Sequence, residues 1–368
     1  MHTLPRGRFL TLTPMIFGLV ALASTTAPIK GQAGRIVFDH AADEKDIWGT
    51  LDIYSVNADG TQLRALTTDG HSYSPTWSPD GRHILYIHRT YGPDNLPQSE
   101  IRPRKPEASV ERDELYVMDS TGGNAHLLRR LEGPIAAPAW SPDGKTLAAE
   151  YTPYAEMAKP RVPSGPIFGL FLMPADGQGE PRLLFPNATD PAWSPDGKKL
   201  AFSVCCTTTG YAIGVGDADG THQVRLTDPY LYTTNPYLAG ADSPAWSPDG
   251  KQIAYAAAVI TTAPGTPGVS NQYQIFLMGS DGSNKRQLTT GNQRCTHPTW
   301  SPDGKAIAFY CFPARARGCG DPEGFRAPGA PEPECGRRIF VMSLTDLNAK
   351  PIQITQIDGA RPVFAPVP

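Results

Sequence analysis

Short apolar runs rich in Ile, Leu, Phe and Tyr recur along the chain, each bounded by polar turn residues. They include Ile84-Leu-Tyr-Ile87, Leu147-Ala-Ala-Glu150, Leu200-Ala-Phe-Ser203, Ile253-Ala-Tyr-Ala256 and Ile307-Ala-Phe-Tyr310. Composition and length mark them as β-strands. Each follows the same turn, Pro-x-Trp-Ser-Pro-Asp-Gly, whose Trp falls at 77, 140, 193, 246 and 300 in steps of 63, 53, 53 and 54 residues. The Pro presets φ, the Asp bonds to backbone ahead of it, and the Gly accepts positive φ, so the motif predicts a tight hairpin. Its Trp supplies an apolar plate suited to packing between sheets.

A third run follows in most units, as in Ile53-Tyr-Ser-Val56, Leu115-Tyr-Val-Met118, Ile275-Phe-Leu-Met278 and Ile339-Phe-Val-Met342. A fourth ends near Leu-Thr, at Leu66-Thr67, Leu226-Thr227 and Leu288-Thr289. Four short strands per repeat make a propeller blade. Five complete units leave two fragments. Arg35 to Thr67 holds strands two to four, and Ala360 to Pro366 holds a first strand with Phe364 in the Trp slot. The expected fold is all-β, a six-bladed propeller whose C-terminal strand completes the N-terminal blade. Closure removes exposed sheet edges.

Composition adds little to the fold and more to the location. With 40% hydrophobic and 19% charged residues the chain reads as folded, and its net charge of −3 gives no reason to expect nucleic acid. Residues 1–33 read as a secretory signal: Arg6 and Arg8 precede an apolar run from Phe9 to Ala23, broken by Pro14. Cleavage is expected after Ala23 or Ala33, leaving 34–368 as the propeller, with no transmembrane span after signal removal.

Candidate chemistry lies opposite the hairpins. The hairpin turns share one face, and the other collects the long, varied loops around 89–113, 152–166, 258–271 and 312–337. If Ser301 pairs with Lys305 across a three-residue turn, Cys295 faces Cys311; opposed Cys in an exported protein are disulfide candidates. Cys319 and Cys335 flank the largest insertion as a second candidate pair, and the pairing of Cys205 and Cys206 stays open. The same register sets His71 opposite Arg89 and Ser72 opposite His88. His40 ends the second strand of the closing blade. Asp190, Asp242, His297 and Arg361 stand where first strands enter. Together these eight, His40, His71, His88, Arg89, Asp190, Asp242, His297 and Arg361, are the candidate binding residues. No catalytic residue is assigned and no cofactor is expected; no Cys-x-x-Cys spacing supports a metal site.

The repeat of Pro-x-Trp-Ser-Pro-Asp-Gly, then Ile-Ala-Phe, Ile-Tyr-x-Met, Asp-Gly and Leu-Thr, resembles the propeller domain of TolB and its relatives over about residues 35 to 366. The resemblance implies a periplasmic propeller that binds proteins. Strand-like sequence starts at Arg35, so the α/β domain that precedes the TolB propeller is not expected. The favoured function is a non-enzymatic, monomeric scaffold, periplasmic or secreted, binding a protein or peptide of the cell envelope. The alternatives are a hydrolase or lyase acting on polysaccharide through a His-containing mouth, and a carbohydrate-binding module.

Overall fold

A computed structural model describes residues 34–42, 50–90, 112–157, 168–204, 211–228, 240–259, 272–291, 293–313, 336–346 and 348–366. Residues 1–33, expected to be a signal, Cys205, Cys206, Cys319, Cys335 and the interiors of the long loops lie outside these residues. The chain forms six antiparallel sheets of four strands. Blade 2 is typical, with strands Ser72–Trp77, His83–Thr90, Arg112–Asp119 and His126–Arg130 in sequence order. Blades 3 to 6 begin at Ile135, Ala188, Ala241 and Gln293. Blade 1 is composite: Ala360–Phe364 pairs with Arg35–Ala41, setting Phe364 beside Ile36, and two further N-terminal strands complete the sheet. Among the described residues no helix is long and apolar enough to cross a membrane.

The core follows from the repeat. Each strand is apolar towards a neighbouring sheet, so the buried residues divide into six clusters, one between each pair of adjacent blades. The motif Trp does more than pack. The indole nitrogens of Trp77, Trp193 and Trp300 donate to the carbonyls of Val363, Ala139 and Ala245, on the first strand of the preceding blade, at 3.2, 3.3 and 3.0 Å.

The hairpin corrects one expectation. Ser301 pairs with Ala306 rather than Lys305, the Ser301 amide donating to the Ala306 carbonyl at 2.8 Å, so the turn holds four residues. Gly304 takes φ +70°, and Asp303 Oδ1 accepts from the Ser301 hydroxyl at 2.7 Å and the Lys305 amide at 3.0 Å. The strand then slips by one residue at a β-bulge between Thr296 and Thr299. The two shifts cancel, and Cys295 still faces Cys311. The pair is disulfide-bonded.

That bulge recurs in all six blades and places the candidate site. Every first strand carries x-Pro at its centre. Proline has no amide hydrogen for the ladder, and it disfavours the right-handed helical region for the residue before it. The x residue turns left-handed instead. Ser74, Ala137, Asp190, Ser243, His297 and Arg361 have φ of 52°, 46°, 50°, 53°, 49° and 49°. Such a backbone costs an L-residue about 1–2 kcal/mol. It is shared by Ala137, so the strain belongs to the scaffold and not to any one side chain.

Candidate functional site

The six left-handed positions form a ring around the channel. They line a cavity of about 230 Å³, together with the prolines that follow them and Thr76, Ala139, Ala192, Thr299 and Val363. The backbone repeats from blade to blade while the side chain does not. Three of the candidate residues line the cavity and a fourth lies beside it. Asp190, His297 and Arg361 occupy ring slots, and Asp242 sits one residue before the Ser243 slot.

Their contacts form two groups, one around Asp190, His297 and Asp242 and one around Arg361. Asp190 Oδ2 accepts from the hydroxyls of Ser203 at 3.1 Å and Thr189 at 3.3 Å, and Oδ1 lies 4.0 Å from His297 Nε2. His297 Nδ1 sits 3.3 Å from the Ser243 hydroxyl and 3.2 Å from that of Thr296. Both hydroxyls also donate to Asp242 Oδ1, at 3.0 and 3.3 Å. Arg361 Nη1 donates to the Ser74 hydroxyl at 2.9 Å and lies 3.6 Å from Asp39 Oδ2. Asp39 is 2% exposed and accepts the Ser74 amide at 2.7 Å.

Burial decides the protonation states. It pushes Asp39 up to about 6, against the pull of Arg361, Arg337 and the Ser74 amide. It pushes Asp242 up to about 7, helped by the neighbouring Asp190 charge and opposed by the Ser243 and Thr296 hydroxyls and Arg294. Burial also holds the His297 imidazole below its ordinary value against the Asp190 carboxylate, and Arg361 and Arg337 act in the same sense as burial. Near neutral pH, His297 is therefore uncharged.

The remaining four candidates lie away from this cavity and do not line it. His40 contacts the Asp358 carbonyl through Nδ1 at 2.9 Å and stacks edge-on against Tyr54. His71 and His88 lie together on blade 2 with ring centroids 6.2 Å apart, and His88 packs on Tyr116. Ser72 does pair with His88, and the Arg89 amide donates to the His71 carbonyl. Arg89 itself is held by Asp113 at 2.9 Å and the Tyr73 hydroxyl at 2.8 Å. Among the described residues no group of three His, Cys, Asp or Glu side chains is placed to hold a metal ion.

Sequence reasoning missed Ser74, Ala137 and Ser243, which fill the remaining ring slots, and Asp39, Ser203 and Thr296 behind them. Aligning the residue before each motif Pro would have found the ring. Aligning the second strands would have found Asp39 and Ser203, which occupy the same position in different blades.

Solved structures share this architecture. TolB from Acinetobacter baumannii superposes with a TM-score of 0.59 at 17% identity, over 91% of this chain and 67% of that one. A TolB candidate from Agrobacterium tumefaciens gives 0.56 at 19%, over 89% and 90%. The fold is TolB-like. Sequence relatives are more mixed. A protein of uncharacterised role from Agrobacterium fabrum is 25% identical over 65% of this chain and 84% of its own length. Dipeptidyl-peptidase 5 of Porphyromonas gingivalis is 24% identical over 81% of this chain. The chain spans only 38% of that peptidase, and 14% of its namesake from Porphyromonas endodontalis. No family model matches the chain.

Proposed function

We propose that this chain is an exported, non-enzymatic TolB-like propeller that binds a protein or peptide segment at the mouth of its channel. The observation that carries this reading is the ring itself. Six blades hold one backbone conformation at the slot before the motif Pro, yet present Ser, Ala, Asp, Ser, His and Arg there, all lining one cavity. A rigid, repeated frame carrying unlike side chains is the arrangement a recognition site needs. The buried Cys295–Cys311 disulfide supports export, because such bonds persist in oxidising compartments.

A hydrolase remains the second reading on one specific observation: the Ser243 hydroxyl, His297 and Asp190 stand in file at 3.3 and 4.0 Å. The Ser243 hydroxyl, however, is buried and already donates to Asp242, so its proton is not offered to the imidazole. Labelling with a fluorophosphonate separates the two; a covalent adduct on Ser243 would favour the hydrolase. For the binding reading, crosslinking in the intact envelope is compared between the native chain and Ala137→Lys, which fills the cavity. A discrete adduct lost in the variant is expected. An adduct of equal yield in both would overturn the assignment of the site to the channel.

A further inference from the structure

Three ring side chains are anchored on one side and open on the other. Asp190 is fixed through Oδ2 by Ser203 and Thr189, and Oδ1 accepts no hydrogen bond from the described residues. His297 is fixed through Nδ1, which turns Nε2 towards Asp190. Arg361 is fixed through Nη1 by Ser74. Their side chains keep 26%, 27% and 29% of their surface, and all three line the cavity. Side chains oriented from behind, with one polar edge left towards a cavity, are pre-organised for a ligand.

The charges around the cavity select the ligand. Arg361 is offset by Asp39 at 3.6 Å, and Arg337 is clasped by Asp358 at 2.6 Å. The Arg294 guanidinium is stacked over Tyr273 and Phe312 at 5.2 and 5.1 Å and acts on Asp242 only through space. His297 carries no charge near neutral pH. Among the described residues the Asp190 carboxylate has no Arg or Lys at ion-pair distance, Arg361 acting on it only from further off, and its field helps hold a proton on Asp242. The walls include the six ring prolines, whose apolar rings can pack on an alkyl stem without offering competing donors.

We propose that the channel cavity binds a primary ammonium group of a partner peptide, seated on Asp190 Oδ1 with its carbon stem between the ring prolines. The proposal rests on the reading of the channel mouth as a peptide-binding site and names the chemistry recognised there. An ammonium donates to Oδ1 and supplies a positive charge at ion-pair distance. A ligand carboxylate placed on Arg361 would meet both Asp39 and Asp190. The ammonium can come from a lysine side chain or from a chain N-terminus.

The test follows the His297 imidazole signal by NMR in the full chain, assigned through His297→Gln, while n-butylammonium chloride is added at constant ionic strength. A saturable shift is expected with n-butylammonium and none with n-butanol. Asp190→Asn, which removes a charge-assisted hydrogen bond, is expected to weaken the response about tenfold or more. Ala137→Lys, which tethers an ammonium beside Asp190, is expected to abolish it. The slot tolerates that side chain, since sister blades carry Asp, His and Arg on the same backbone; should Asp190→Asn not fold, Ala137→Lys decides alone. N-acetyl-lysine amide and glycinamide then separate side chain from N-terminus, and saturation by either supports the proposal. Equal shifts with n-butanol, or a folded Asp190→Asn within twofold of the native response, would overturn it. Envelope crosslinking lost in Ala137→Lys but unchanged in Asp190→Asn would sink the ammonium site and leave the binding function standing.

Discussion

Replacing Asp358 by Ala should be among the most damaging single changes in this propeller. Asp358 lies just before the C-terminal strand and is 1% exposed. Its carboxylate takes the Arg337 amide at 2.8 Å, Arg337 Nη2 at 2.6 Å, and Arg337 Nε at 3.1 and 3.2 Å. It also takes the Ala41 amide, at 3.2 Å. One side chain thus ties blade 6 to both the N-terminal and C-terminal parts of blade 1. Ala at this position leaves the Arg337 guanidinium buried without its ion-pair partner and strands two backbone donors. Removing one partner of a buried ion pair costs about 3–5 kcal/mol. The assay is urea denaturation followed by Trp fluorescence, because five of the six Trp sit in the repeated slot where blades meet. Adding Arg337→Met to Asp358→Ala should recover stability, since it removes the guanidinium left without that partner while the stranded amides remain. A loss below about 1 kcal/mol in the single variant, or a double variant less stable than the single, would refute this account of ring closure.

Three further outcomes are expected. Deleting residues 361–368 removes the strand bearing Phe364, which is 6% exposed in the interface between blades 6 and 1. Loss of that ring alone is worth about 3–5 kcal/mol, so a truncated chain melting with the native one would contradict the closure. Replacing Cys295 and Cys311 by Ala opens a loop spanning 16 residues and should cost about 3 kcal/mol by the chain-entropy argument, read as a lower urea midpoint. The pH dependence of Asp242→Asn has a definite sign. The folded protein holds the Asp242 proton up to about 7, whereas the unfolded chain releases it near 3.8, so this carboxyl lowers stability as pH rises between those values. His297, lowered in the fold, works oppositely below its ordinary 6.5 and is retained in the variant. The stability of the native chain relative to Asp242→Asn should therefore fall from pH 4 to pH 7 and level off above; a difference independent of pH would exclude a raised Asp242.

The fold was legible because a propeller writes itself into sequence at a fixed period. Local turn chemistry set the hairpins, and the orphan strands at Arg35 and Ala360 implied the closure. Register was legible only through compensation. The turn is one residue longer than the motif suggested, and the bulge at His297-Pro298 takes that residue back, so Cys295 and Cys311 oppose each other by two offsetting shifts. The site was half legible. Asp190, His297 and Arg361 stand out as charged or ionisable residues where first strands enter, but Ser74, Ala137 and Ser243 look like ordinary spacers until their shared left-handed backbone is seen. Asp39 and Asp358 act across blades, at sequence separations of 35 and 317 from the amides of Ser74 and Ala41 that they bind, where no local pattern marks them. Nearness to one rim in a linear reading does not bring His40, His71 and His88 to the cavity that holds His297.

The proposed recognition site is the channel ring and not the hairpin face. A photoreactive residue introduced at slot 137 or at Lys145 tests it within one blade, since the first position lines the cavity and the second is exposed on the hairpin turn. Irradiation in the intact envelope should give a discrete protein or peptide adduct from slot 137 and none from position 145. The same adduct from position 145 alone would contradict the account.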